Sequence, residues 1–166
     1  MKVEYINPFI QSAMETFVNM LDCKVTHGKP FTGEDDGQSN HLIAIIGLSG
    51  SAQGTIAIKL PTETAKKIVG SLVGTNFPEI DSSVIDGVGE LINIIAGNAK
   101  AKFQGHKISI SLPTVIRGGI HKLTAPTIAY ITIPFKCTLG DFDILVSFRP
   151  TVKEKEEALH ESANCG

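Results

Sequence analysis

Cysteine is scarce in this sequence and poorly placed for cross-linking. Cys23, Cys137 and Cys165 are odd in number, widely spaced and free of any CxxC pair. That argues against a disulfide framework and against a thiolate zinc site. Excess positive charge is also missing. A formal net charge of −2 over 166 residues creates no basic field to recruit nucleic acid or an anionic membrane. No apolar run approaches the ~18 residues of a membrane span, so membrane insertion is not expected. The opening MKVEYINPF lacks a basic n-region, an apolar core and a small-residue cleavage site. A cytoplasmic address is the default expectation.

Familiar catalytic signatures are missing as well. The histidines at 27, 41, 106, 121 and 160 show no HxxxH spacing and stand beside no obvious nucleophile. Gly47-Leu48-Ser49-Gly50-Ser51 has the outline of a nucleophile elbow. Its last position is serine, however, and it joins two strands instead of strand to helix. It reads as a hairpin loop, and the glycines at 47, 50 and 54 match neither a phosphate loop nor a dinucleotide fingerprint. Glu34-Asp35-Asp36 reads as a solvated acidic loop. No metal site is expected in this chain.

What remains is enough for one domain with a sizeable core. Hydrophobic residues make up 42% and charged residues 19%, with mean hydropathy +0.13. Residues 1–152 form the expected domain, and 153–166, rich in lysine and glutamate, a charged C-terminal tail. Ile6, Ile10, Ala13, Phe17 and Leu21 mark a first amphipathic helix, with Asn7-Pro8 as its cap and first-turn pair. Residues 42–46 and 55–60 read as the arms of a hairpin linked through GLSGSAQG. Pro61-Thr62 opens a second helix that Gly74 ends. Ile108, Ile110 and Leu112 alternate with polar residues in a one-sided strand broken at Pro113. TIAYITIPFKCTL and FDILVSF form a further strand pair, with Pro134 placing its strand at an edge or a bulge.

The two halves repeat one order: helix, polar stretch or strand, hairpin, Pro-Thr, helical segment. TIAIKLPTETAKK parallels DILVSFRPTVKEKEEA, and METFVNM parallels GELINII. The fold class predicted is α+β, a single domain with an internal pseudo-duplication and helices packed on a mostly antiparallel sheet.

Residues 82–104, SSVIDGVGELINIIAGNAKAKFQ, organise the rest. Val84, Val88, Leu91, Ile95, Ala99 and Phe103 recur at helical spacing, and Asp86, Glu90, Asn93, Gly97, Lys100 and Gln104 follow the opposite side. Glu90 and Asn93 are therefore neighbours on the outward face. Glycine in a helix costs on the order of 1 kcal/mol relative to alanine, and this helix holds Gly87, Gly89 and Gly97. Close packing accounts best for Gly89. Gly97, beside a carboxylate and an amide, leaves bare backbone where a partner can approach. On spacing alone a solvated face would explain Glu-x-x-Asn; Asp86 before it and Gly97 and Asn98 after it favour function. Aligned on glutamate, Glu15 of the first helix matches Glu90, but Val18 stands where Asn93 stands.

The run Asp86-xxx-Glu90-xx-Asn93 followed by IIAGNAK resembles the signature helix of the CheC and CheX phosphatases of bacterial chemotaxis. IIGLSGSAQGTIAIKLPTETAKKIVGSLVG and INPFIQSAMETFVNML are similar to the CheX hairpin and first helix, and one Glu-Asn pair points to the CheX-like branch. The pattern also includes a downstream proline, for which Pro113, a few residues early, is the nearest candidate. The resemblance implies hydrolysis of the aspartyl phosphate on a CheY-like response regulator. It implies Asn93 as the residue that positions water and Glu90 as the anchor for the regulator. Asp86, Gly97 and Asn98 would then contact the partner. It implies no cofactor of the chain's own, Mg2+ on the regulator, and a homodimer. A non-catalytic regulator-binding module related to flagellar switch proteins is the alternative. Retention of Asn93 and its loss at Val18 favour the phosphatase.

Overall fold

In the computed structural model, which describes residues 3–32, 40–118 and 130–151, the chain opens with helix α1 (Val3–Leu21). A two-residue strand β1 (Thr26–His27) follows, then the hairpin β2 (His41–Gly50) and β3 (Ala52–Pro61). Helix α2 (Thr62–Val73) starts directly after Pro61 and stops at Gly74, whose φ of 72° is left-handed. Helix α3 (Ser82–Lys102) covers the stripe-bearing segment. Strands β4 (Ile108–Ile110), β5 (Thr114–Arg117), β6 (Ile131–Lys136) and β7 (Phe142–Pro150) complete the described elements.

All strand pairings are antiparallel, and the order across the sheet is β1-β6-β7-β3-β2-β4, with β5 also on β2. This order has the same form from either end. The strand after α1 pairs with the hairpin of the second half, and the strands after α3 pair with the hairpin of the first. The α+β fold with its pseudo-duplication is therefore built by exchange between the halves. Alternation decides the faces. Leu42, Ala44 and Ile46 of β2, Ile56, Ile58 and Leu60 of β3, and Phe142, Ile144, Val146 and Phe148 of β7 enter the main core. A smaller cluster of Ile43, Ala57 and Leu145 occupies the other face, where the Thr55 hydroxyl donates to the Tyr130 hydroxyl oxygen over 3.0 Å.

Several expectations need correction. α1 begins ahead of Asn7-Pro8, so Pro8 lies inside the helix and removes one of its i→i−4 bonds instead of opening the first turn. GLSGSAQG is mostly strand, because Leu48 pairs with Gly54 and Ser51 alone lies between β2 and β3. Pro134 is not on the outermost strand. β1 lies outside β6, and the Gly28 N–H donates to the Pro134 carbonyl over 2.8 Å. A strand residue's N–H and C=O point to the same side, so the donor that Pro134 lacks faces short β1 and leaves the β7 ladder intact. Leu112 does not continue the buried face of its strand; it is 87% exposed. The strand resumes after Pro113 as β5, which the pattern did not announce. The acidic Glu34-Asp35-Asp36, residues 127–129 at the start of TIAYITIPFKCTL and the tail 153–166 lie outside the described residues.

Aromatic rings fix the helices to the sheet. Phe103, at the C-cap of α3, stacks on Phe148 of β7 with centroids 4.8 Å apart and planes 11° apart. Phe9 of α1 packs against both rings, at 5.5 Å and 6.1 Å. Because Phe148 joins β7 to both long helices, Phe148→Ala should lower unfolding free energy by about 3–5 kcal/mol, as for other buried phenylalanines. A urea denaturation series checks this; a midpoint within error of wild type would contradict it.

Candidate functional site

Helix α3 is fixed in rotation by its buried side and in position by its ends. The Asp81 side chain caps its start, accepting from the Val84 N–H over 3.0 Å. Ile92 and Ala96 join the apolar series already read from the sequence, giving a broad stripe against the sheet. Two of the three glycines are sites of close approach. A Cβ on Gly87 would lie 2.6 Å from Val69 Cγ1 of α2. A Cβ on Gly89 would meet Val115 at 3.4 Å and Pro113 at 3.6 Å, the contact with a neighbouring strand expected at that position. At Gly97 a Cβ would meet nothing within 4 Å.

The outward series emerges where the helical period places it. Asp86 and Glu90 are exposed, and Asn93 and Gly97 are half-buried. The Asp86, Glu90 and Asn93 side chains make no hydrogen bond or ion pair among the described residues. Asn98 is turned towards α1, where its Nδ2 donates to the buried Thr16 Oγ1 over 3.3 Å. The structure thus brings Asp86, Glu90, Asn93 and Gly97 onto one face and places Asn98 at the seam between helices. The first-half counterpart differs in two ways. Lys102 engages both Glu15 oxygens, at 3.0 Å and 2.8 Å, and Val18 is a 45% exposed apolar residue.

A bulge borders the face. Opposite Ile46 and Gly47 of β2, three residues, Ser111, Leu112 and Pro113, fill the space between the β4 and β5 pairings. The Ser111 N–H donates to the Gly47 carbonyl over 2.9 Å, and the Gly47 N–H donates to Ser111 Oγ over 2.9 Å. The extra residue pushes Leu112 out while Pro113 rests on α3 at Gly89. Further along, a cleft of about 550 Å³ separates the C-terminal half of α3 from β4 and begins at Gly97. Sequence reasoning missed Leu112 and this cleft. Only the Leu-Pro pair that ends the alternation hints at them.

Chemically, the face offers an uncommitted amide and an uncommitted carboxylate one turn apart. Among the described residues no group of three acid, histidine or cysteine side chains could hold a metal ion. No described helix is long and apolar enough to cross a membrane. Burial pushes the Cys137 thiol up, reinforced by neighbouring Cys23, and the thiol donates to the Gly140 carbonyl over 3.2 Å. That thiol is a poor nucleophile. The arrangement suits holding water and docking a partner.

Known proteins resemble this chain in sequence and in fold. Residues 42–136 match the family model of the chemotaxis phosphatase CheX. The chain is 30% identical over 121 residues to the CheY-P phosphatase CheX of Thermotoga maritima, covering 71% of this chain and 78% of that protein. It superposes on a CheC-like superfamily protein from Shewanella sp. PV-4 with TM-score 0.80 and 27% identity, covering 90% and 99% of the two chains. It also superposes on a chain of the CheX–CheY–BeF3–Mg2+ complex from Borrelia burgdorferi with TM-score 0.77 and 26% identity, covering 89% and 99%.

The glycine environments predict opposite responses to a single methyl group. Gly97→Ala should raise stability by up to about 1 kcal/mol, because helix propensity improves and nothing is displaced. Gly87→Ala should lower it, since the methyl would overlap Val69 and force a shift costing roughly 1–3 kcal/mol. Thermal unfolding of the two variants checks the pair. Equal destabilisation would mean that Gly97 is retained for packing after all.

Proposed function

The chain belongs to the chemotaxis phosphatase CheX family, and we propose that it hydrolyses the aspartyl phosphate of a CheY-like response regulator in the cytoplasm. The observation that carries this reading is Asn93, uncommitted on the open face of α3 one turn from Glu90, with bare Gly97 on the following turn. The beryllofluoride in the Borrelia burgdorferi complex is a phosphoryl mimic, so a CheX chain similar to this one meets its regulator in a phosphorylated-like form.

The regulator supplies the phosphorylated aspartate and the Mg2+ beside it. An aspartyl phosphate is a mixed anhydride, already activated, so hydrolysis needs chiefly a water held in line with the bond to the aspartate oxygen. Water oxygen bonds to phosphorus, the P–O bond to the aspartate breaks, and the products are a free carboxylate and inorganic phosphate. The water's protons pass to phosphate and solvent. The Asn93 amide suits the water because it both donates and accepts and adds no charge to repel the phosphoryl group. Glu90, a carboxylate, would repel the phosphoryl group at close range and attracts a cation beside it, such as a regulator lysine. Asp86 adds to the same negative end, and Gly97 lets the regulator backbone approach. Asn98 contributes from behind, by tying α3 to Thr16.

Two substitutions separate these roles. Asn93→Ala should leave regulator binding near wild type and reduce turnover, by up to about a hundredfold if water loses its alignment. Glu90→Gln should weaken binding and flatten its salt dependence, because an exposed ion pair is screened by salt. Gly97→Leu should impair both. Circular dichroism should show all three folded. Loss of radiolabelled phosphate from the regulator reports turnover, and an Asn93→Ala protein as fast as wild type would leave only a docking surface.

We also propose a homodimer joined through its β-strands, with both Glu90/Asn93 faces open. Short β1 and β4 at the sheet ends leave strand edges to be covered. Light scattering at micromolar concentration should give twice the 17.7 kDa monomer mass; the monomer mass itself would refute the dimer.

A further inference from the structure

We infer that the cleft between the C-terminal half of α3 and β4 is a second contact site for the same regulator. It takes an acidic segment of that protein on Lys100 and Lys107, with Leu112 as an apolar anchor alongside. The inference rests on the proposed function and adds how the regulator is oriented.

Three observations carry it. First, Gly97 is shared: it follows Asn93 in the outward series and lines the start of the cleft, so the two surfaces are continuous. Second, the continuous face is electrically polarised. Asp86 and Glu90 occupy one end, and Lys100 and Lys107 line the cleft at the other. Lys102 is engaged by Glu15, and Lys66 by Glu63 at 2.7 Å. The ammonium groups of Lys100 and Lys107 form no ion pair among the described residues, and both residues are exposed. Third, the bulge leaves Leu112 87% exposed between two residues that bear on α3 and the cleft. Pro113 on one side of it packs at Gly89, and Ile110 on the other lines the cleft that Gly97 also lines.

A simpler reading exists for Lys100, since a cation in the last helical turn favours the helix dipole. It does not cover Lys107, which lies outside the helix just ahead of β4. Nor does it account for a leucine almost fully in water on a bulge whose backbone is otherwise bonded to β2. Lys100 lies seven residues beyond Asn93, roughly 10 Å along the helix axis, about one screening length at physiological salt. A regulator seated on Asn93 therefore reaches both charged ends. Only one orientation puts its cation at Glu90 and its acidic segment at the cleft. Reversed docking sets like charges together at both ends.

The test uses the full chain and a regulator carrying beryllofluoride and Mg2+, with affinity measured by calorimetry at low and high salt. Turnover of phosphorylated regulator is followed in parallel. Lys107→Glu with Lys100→Glu should weaken binding about tenfold at low salt and less at high salt, since rim charges act through screened attraction. Leu112→Ser should weaken it severalfold at both salts. Turnover at saturating regulator should stay at the wild-type rate in each case, so the loss appears in KM. Lys107→Glu alone, outside the helix, should show part of the same effect with unchanged thermal stability. Wild-type affinity in the charge-reversed protein overturns the inference while leaving Asn93 and Glu90 untouched. A change in oligomeric mass without a change in affinity also overturns it, assigning the cleft to contact between copies. Binding without turnover by the unmodified chain would sink the phosphatase reading and keep this one. Absence of binding would remove both.

Discussion

Eight residues on one side of α3 are buried, from Val84 through Ala99, and this burial aims the opposite side. Each large apolar side chain among them contributes roughly 1.5–3 kcal/mol by leaving water. A helix turns about 100° per residue, so a rotation by one position would carry Leu91, Ile92 or Ile95 towards solvent. The energetic penalty for that rotation far exceeds anything that two exposed polar side chains could offset. Glu90 and Asn93 consequently need no hydrogen bonds of their own to be held outward. Rigidity comes from behind, through the Asp81 cap, the Phe103–Phe148 stack and the close approach at Gly87. The outward face is left with polar groups that no described residue engages.

The duplication sharpens what is specific to the second half. α1 and α3 occupy equivalent places, and both present a glutamate at matching positions. In α1 that carboxylate is neutralised by Lys102, and the neighbouring position is Val18. One half has turned its glutamate into a strut between the helices; the other keeps carboxylate and amide uncommitted. The frame is shared, and the uncommitted carboxylate and amide belong to the second copy.

Most of this was readable from side-chain spacing. Amphipathic stripes placed α1 and α3, Pro61-Thr62 and Gly74 bounded α2, and alternation separated the two hairpins. The open backbone at Gly97 and the packed one at Gly89 follow from the direction of each residue around a helix. Legibility failed where a residue's role depends on a distant partner. Pro134 is tolerated one strand in from the edge because of which way its missing N–H points. Leu112 is extruded because β2 offers two residues against three, a mismatch visible only in the pairing register. The glycines and serines around the β2–β3 turn suggested loop, but the cross-strand ladder held them extended. The cleft beyond Gly97 is assembled from two segments, and neither carries its outline alone.

The exchanged strands also bear on how the chain reaches this state. β1 meets its partner β6 across about 110 positions of sequence, Thr26 against Lys136, and β2 waits for β4 and β5 from beyond α3. Neither repeat can complete its own sheet, so the halves do not form separate folding units despite their common plan. Such distant pairings raise the contact order, and the entropy of closing those loops is lost before the ladder returns it. Folding is then slow for a chain of this size. During synthesis the first hairpin emerges with its β2 edge bare, and that edge stays open until the segment after α3 has left the ribosome.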